Sequence, residues 1–214
     1  MIIINFKNYV SGKRALKLAK LIEKYLPRAI VAVNDFDVGL ISEKTRLKVF
    51  VQHMDYFKTE RATGFIIPEI VKKSGAVGSL LNHSEHRLRD ETIEKTVKRA
   101  REAGLRIIVC AESVKRAKRF LKFGADAIAF EDLDLVASGK SITEFREKEI
   151  KDFVKLFKGK KVSPLCGAGI HSAEDVVRAR EFGCKGVLIS SAIANVPLKK
   201  AEKLLREIRE INLF

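Results

Sequence analysis

No apolar run in this sequence approaches the roughly 20 residues that a membrane-spanning helix needs. The chain opens on a strand-like Ile2-Ile3-Ile4 in place of a basic leader with a cleavage site, so the expectation is a cytoplasmic protein. Cysteine is scarce: Cys110, Cys166 and Cys184 are odd in number, widely spaced and set in apolar or glycine-rich surroundings. Such a set does not make a disulfide framework. His53, His86 and His171 stand at no spacing that would gather a zinc ion, and no metal is expected. After the first strand-like run the sequence reads Lys7-Asn8-Tyr9, where a dinucleotide-binding sheet would carry a glycine-rich turn, and no cofactor is expected.

What the chain does have is length, apolar content and positive charge. Its 214 residues, 46% of them hydrophobic, suffice to bury a substantial core, and we read residues 1–214 as a single domain. The formal net charge is +15, which raises the question of nucleic acid. The basic residues recur in nearly every helix-like segment, as in Lys13, Arg14, Lys17, Lys20 and Lys24, and are mixed with Glu. Most of the 13 Phe lie inside apolar patterns, so no basic and aromatic platform for stacking bases emerges. Solvated helix faces that steer small anions are the expected reading; neither a nucleic-acid nor a membrane partner is expected.

Eight short apolar runs alternate with amphipathic segments. The runs are Ile2 to Phe6, Ile30 to Val33, Lys48 to Gln52, Ala76 to Leu81, Arg106 to Cys110, Ala127 to Glu131, Val162 to Cys166 and Gly186 to Ser190. Nearly continuous apolarity marks parallel strands covered on both faces. Between them lie helical periodicities such as Ala15, Leu18, Ala19, Ile22 and Leu26, with short helices near Val38 to Glu43 and Pro68 to Ser74, after strands two and three. Gly104, Gly124 and Gly183 stand where helices stop before strands. Eight strand and helix repeats predict an α/β fold, a closed (β/α)8 barrel, whose chemistry should gather at the C-terminal strand ends.

Groups suited to chemistry stand at those ends: Asn5 and Lys7 after the first run, His83-Ser84-Glu85 after the fourth, Glu131 after the sixth. Together they offer a base, an electrophile and a cation. Taken alone, His83 would read as a satisfied interior or capping histidine, Lys7 as a surface lysine and Glu131 as one carboxylate of a Glu131, Asp132, Asp134 cluster. Their joint placement favours a site. Arg87 reads as a structural ion-pair partner.

Asn5-x-Lys7, Asn82-His83-Ser84-Glu85, Ala129-Phe130-Glu131 with a loop closing at Ser138-Gly139-Lys140, and Cys166-Gly167-Ala168-Gly169-Ile170 occur in this order along essentially the whole chain. In this the sequence resembles the triosephosphate isomerase family. The short length, Gln52-His53-Met54-Asp55 and the Cys-Gly-Ala-Gly-Ile loop are similar to its compact archaeal branch. The resemblance implies interconversion of dihydroxyacetone phosphate and D-glyceraldehyde 3-phosphate, a step of glycolysis and gluconeogenesis that passes through an enediolate and uses no cofactor. It makes Glu131 the base, His83 the electrophile, Lys7 the positive charge and Asn5 its hydrogen-bonding neighbour. The histidine of this family is known to act as a neutral imidazole, and the same is expected of His83. Glu85 would orient near Lys7, Ser84 would support His83, and Cys110 would pack by the centre as a structural residue. Backbone amides near Ala137, Gly169, Ser190 and Ser191 would hold the phosphate.

The loop after Glu131 departs from the family's pattern: Asp132 replaces the usual proline, and Val136-Ala137-Ser138-Gly139 replaces Ile-Gly-Thr-Gly. This predicts a working enzyme that is slower or leaks enediolate to methylglyoxal. Thr63-Gly64 matches the tip of the loop that reaches into a neighbouring subunit in this family, so a homo-oligomer is expected, as a dimer of dimers. Two other functions remain open at this point. One is another phosphosugar-converting barrel in which Lys7 forms a Schiff base, which borohydride trapping would reveal. The other is a degenerate phosphate- or polyanion-binding barrel without isomerase activity, which salt-dependent RNA binding would reveal.

Overall fold

The computed structural model describes residues 1–58, 61–132, 134–135 and 141–211. Eight strands form one closed parallel barrel in sequence order. They are β1 (Ile2–Asn5), β2 (Ile30–Val33), β3 (Lys48–Val51), β4 (Gly78–Leu81), β5 (Arg106–Ala111), β6 (Ala127–Phe130), β7 (Ser163–Cys166) and β8 (Gly186–Ile189). Closure is made by β1 against β8, with Ile3 opposite Leu188 and Ile4 opposite Ile189. Every strand expected from apolarity is present, with β2 as expected and an end of each other strand moved by one or two residues. The short helices expected after strands two and three are observed as α2 (Val38–Lys44) and α3 (Pro68–Lys73), following α1 (Gly12–Tyr25).

Each strand is covered on both faces because successive side chains point to opposite sides. Ile3, Ile30, Phe50, Leu80, Ile108 and Leu165 point inward and fill the barrel. Ile4, Val31, Val49, Leu81 and Val109 point outward and pack beneath the helices. The inner layer is shaped by one large and one minimal residue: a Cβ at Gly78 would lie 2.5 Å from the Phe50 ring, so the phenyl fits only because position 78 has none.

The remaining helices are α4 (Asp90–Glu102), α5 (Val114–Phe120), α6 (Ile142–Phe145), α7 (Glu147–Lys155), α8 (Ala173–Glu181), α9 (Ser191–Ala194) and α10 (Leu198–Ile211). Their buried stripes follow helical spacing, as in Ile93, Thr96, Val97 and Ala100 of α4. Acidic Asp90 and Glu91 open α4 and basic Arg99 and Arg101 close it, which suits the helix dipole. Among the described residues no helix is long and apolar enough to cross a membrane. The architecture brings the loops after β1, β4, β6, β7 and β8 to one rim.

Candidate active site

Just beyond β1 the chain bends so sharply that Lys7 adopts φ 45, an uncommon state for a residue with a side chain. Both of its peptide groups are tied by other residues. Its N–H donates to Asn5 Oδ1 at 2.9 Å, and its carbonyl accepts from Gln52 Nε2 at 2.9 Å. The Lys7 ammonium then reaches Glu85 Oε1 at 2.6 Å, as expected of that pair.

A second left-handed residue, Asn82 at φ 57, follows β4. Its amide spans two elements, donating to Cys110 O at 2.9 Å and accepting from Leu88 N–H at 2.9 Å. This turn delivers His83, whose Nδ1 accepts the Glu85 N–H at 3.2 Å. Nδ1 thus serves as an acceptor, which leaves Nε2 as the nitrogen able to donate. The Glu85 carboxylate lies farther from Nδ1, at 3.8 Å, and does not compete with the amide. Nε2 points across the barrel mouth to Glu131 Oε1, 3.7 Å away.

Glu131 continues the ladder from β6, donating its N–H to Ala111 O at 3.0 Å, and its side chain is buried. Its Oε2 has no hydrogen-bond partner among the described residues, and the same holds for Ser84 Oγ. A buried carboxylate oxygen without a donor is a strong acceptor held ready. Ser84, next to His83 in the chain, lines a narrow space together with Glu131 and Cys110. Burial, and then the Glu131 charge, push the Cys110 thiol well above its ordinary value, which keeps it an uncharged packing group. A Cβ on Gly167 would fall 2.9 Å from Glu131 Cγ, so the carboxylate occupies room that only glycine leaves.

These groups converge on a cavity of about 40 Å³ lined by Asn5, Lys7, His83, Glu131, Gly169, Ser190 and Ser191, with Ala168, Ile170 and Leu188 between them. Ala168 at φ 65 and Gly169 at φ 71 form a left-handed pair on its wall, an arrangement that turns successive amides to one side. Ser190 donates its hydroxyl to Asn5 O at 2.8 Å and ties the last strand to the first. Ala137, Ser138, Gly139 and Lys140 lie outside the described residues. Asp132 pairs with Arg146 at 2.6 Å. Arg87 pairs with Glu112 at 2.5 Å, the structural role expected of it. Thr63 and Gly64 are exposed between β3 and α3, away from the cavity. Sequence reasoning missed Gln52 as the support of Lys7, Asn82 as the bridge beneath His83, and Gly167 as the space for Glu131. A signal existed for Asn82, since asparagine tolerates the left-handed state at a strand end.

Carboxylate, imidazole and ammonium around one cavity at the C-terminal mouth define a β/α-barrel protein equipped for proton transfer. The sequence model of triosephosphate isomerase matches residues 1–206. A triosephosphate isomerase of Archaeoglobus fulgidus is 37% identical, covering 99% of this chain and 96% of the relative. One of Methanothermus fervidus is 36% identical, covering 97% and 96%. A crystal structure of triosephosphate isomerase from Bartonella henselae superposes with a TM-score of 0.74 at 18% identity, covering 99% of this chain and 98% of that one, a likeness of fold. The chain belongs to the triosephosphate isomerase family.

Proposed function

We propose that this protein interconverts dihydroxyacetone phosphate and D-glyceraldehyde 3-phosphate, with Glu131 as the base and His83 as the electrophile. Glu131 takes a proton from the carbon next to the carbonyl, the C–H electron pair becomes the double bond of an enediolate, and the charge moves to the carbonyl oxygen. His83 Nε2–H donates to that oxygen, and the Lys7 ammonium lowers the energy of the negative charge. The neighbouring hydroxyl gives up its proton as the former carbonyl oxygen gains one through His83, and Glu131 returns its proton to the adjacent carbon, which leaves the new carbonyl at the neighbouring position. The reaction is an internal redox exchange within the substrate, so it draws on no cofactor. The observation that carries this reading is the Glu85 N–H on His83 Nδ1, which leaves the donor on Nε2 beside the carboxylate.

Gly169, Ser190 and Ser191 would hold the phosphate at the far wall of the cavity, with Ala137 joining from the loop after Glu131. The Lys7 ion pair with Glu85 supports an electrostatic role over a Schiff base. Residues 1–214 act as one barrel domain in this reading. Three free, buried cysteines suit a cytoplasmic setting. The tip at Thr63 and Gly64 would enter a second copy, in a groove of about 760 Å³ beside Lys7 and His83, and a dimer of dimers is the assembly we favour.

The test is turnover of D-glyceraldehyde 3-phosphate by the purified oligomer, with methylglyoxal assayed alongside. Glu131→Gln should lower kcat by about 10²- to 10⁴-fold, the range for loss of a general base. No turnover by the intact wild-type oligomer would remove the reading.

A further inference from the structure

Asp175, in the first turn of α8, takes more hydrogen bonds than its helix needs. One oxygen, Oδ2, serves the helix start: it accepts the N–H groups of His171 and Ser172, each at 3.0 Å, and the Ser172 hydroxyl at 2.9 Å. Ser172 Oγ in turn accepts the Asp175 N–H at 3.1 Å, completing a capping box. The other oxygen faces a different part of the chain. Oδ1 accepts the hydroxyls of Ser141 and of Thr143, the latter at 2.7 Å, where the chain enters α6. Asp175, Ser141 and Thr143 are all buried. A carboxylate enclosed in this way is retained only where its bonds fix something.

What they fix is the loop between β7 and α8. Ala168 and Gly169 stand at φ 65 and 71, and a left-handed alanine does not persist without restraint. The loop is held at three points. Gly167 N–H donates to Phe130 O at 2.9 Å, Ala168 O accepts from Ile142 N–H at 3.2 Å, and His171 N–H ends on Asp175. Two of these depend on Asp175, one through its contact with His171 and one through its hold on Ser141 and Thr143 around Ile142.

We propose that Asp175 is a positioning residue for the isomerase reaction: by clamping both ends of the left-handed pair it sets where the Gly169 amide stands against the substrate phosphate. The inference rests on the reading that Gly169 and its neighbours hold the phosphate. Asp175 touches no substrate, and its effect should appear in the phosphate term alone.

The experiment compares kcat/KM for D-glyceraldehyde 3-phosphate and for D-glyceraldehyde, which lacks the phosphate, together with inhibition by inorganic phosphate. The wild type is set beside Asp175→Asn and the double variant Ser141→Ala, Thr143→Val, which leaves the capping box intact. Asp175→Asn should lose about 10- to 100-fold on the phosphorylated substrate, chiefly through KM, the scale of a misplacement near 1 Å. Phosphate inhibition should weaken in parallel, and turnover of D-glyceraldehyde should stay within about twofold. The double variant should move the same way by less. Equal losses on both substrates, or unchanged phosphate inhibition, overturn the proposal; should the Asp175 variant fail to fold, the double variant decides. A wild type that does not prefer the phosphorylated substrate removes the phosphate-site reading itself, which separates that failure from failure of the Asp175 inference alone.

Discussion

Lys7 is kept at φ 45 by two unrelated side chains, Asn5 on its N–H and Gln52 on its carbonyl, so its ammonium starts from a fixed backbone rather than a flexible loop. Glu85 supports the chemistry twice, through its peptide N–H on His83 and through its carboxylate on Lys7. Glu131 depends on its surroundings in a different way, since it needs space. A Cβ at position 167 would press on Glu131 Cγ at 2.9 Å and on Oε1 at 3.2 Å, and the middle of the side chain cannot yield without moving the carboxylate. Gly167→Ala should therefore lower kcat by about 10²-fold while leaving the circular-dichroism spectrum unchanged. Full activity in that variant would show that Glu131 works from another position. Asn5, Lys7, His83 and Glu131 could be picked out as candidates because each stands at the end of an apolar run, and they line one cavity. Gln52 and Gly167 were not legible as site residues, because Gln52 meets its partner 45 residues away and Gly167 acts only by leaving room.

Elements enter the site through the way their ends are tied. The strands could be read almost residue by residue, since two-sided burial leaves a nearly continuous apolar signature in each. The fastening of α6 to α8 could not, because Ser141 and Thr143 lie 34 and 32 residues before the carboxylate that receives them. Asp132, which departs from the family's proline, is joined to Arg146 ahead of α7, an ion pair that ties the start of the segment after β6 to the chain beyond α6. With both partners partly open to water, such a pair adds little to stability. Asp175 differs because it is enclosed. Burial works to raise its pKa by disfavouring the charged form, and the hydrogen bonds of Ser141, Thr143, His171 N–H and Ser172 outweigh burial, so it titrates below the ordinary 3.8. A folded value below the unfolded one means stabilisation that is present in full above about pH 4 and lost as pH falls through the folded value. Unfolding measured against pH should show the wild type more stable than Asp175→Asn by about 1–3 kcal/mol at pH 7, with the gap narrowing below about pH 4. A gap that persists unchanged into acid would mean that the charge is not what the network stabilises.

At the scale of the whole molecule, the barrel leaves its catalytic mouth open on one side. The groove beside Lys7 and His83 is rimmed by Phe36, which is 97% exposed. Opposite in character is the segment between β3 and α3, where Tyr56, Phe57 and Phe65 stack at 4.5 and 4.0 Å and stiffen the base from which Thr63 and Gly64 extend. One chain thus carries both an exposed segment backed by aromatic rings and a recess, largely polar but edged by Phe36, next to Lys7 and His83; in the assembly proposed above a second copy would engage both at once by an isologous contact. Wild-type protein should sediment at no less than twice the 24.1 kDa of the chain. In that proposed assembly Phe36→Asp would place a charge in the contact, and should shift the protein toward a monomer while also lowering isomerase turnover, because Lys7 and His83 line the same groove. Turnover that recovers as the variant's concentration is raised would tie the loss to dissociation and not to misfolding. A wild-type monomer with full activity would remove the second copy from the account and leave the barrel mouth complete by itself.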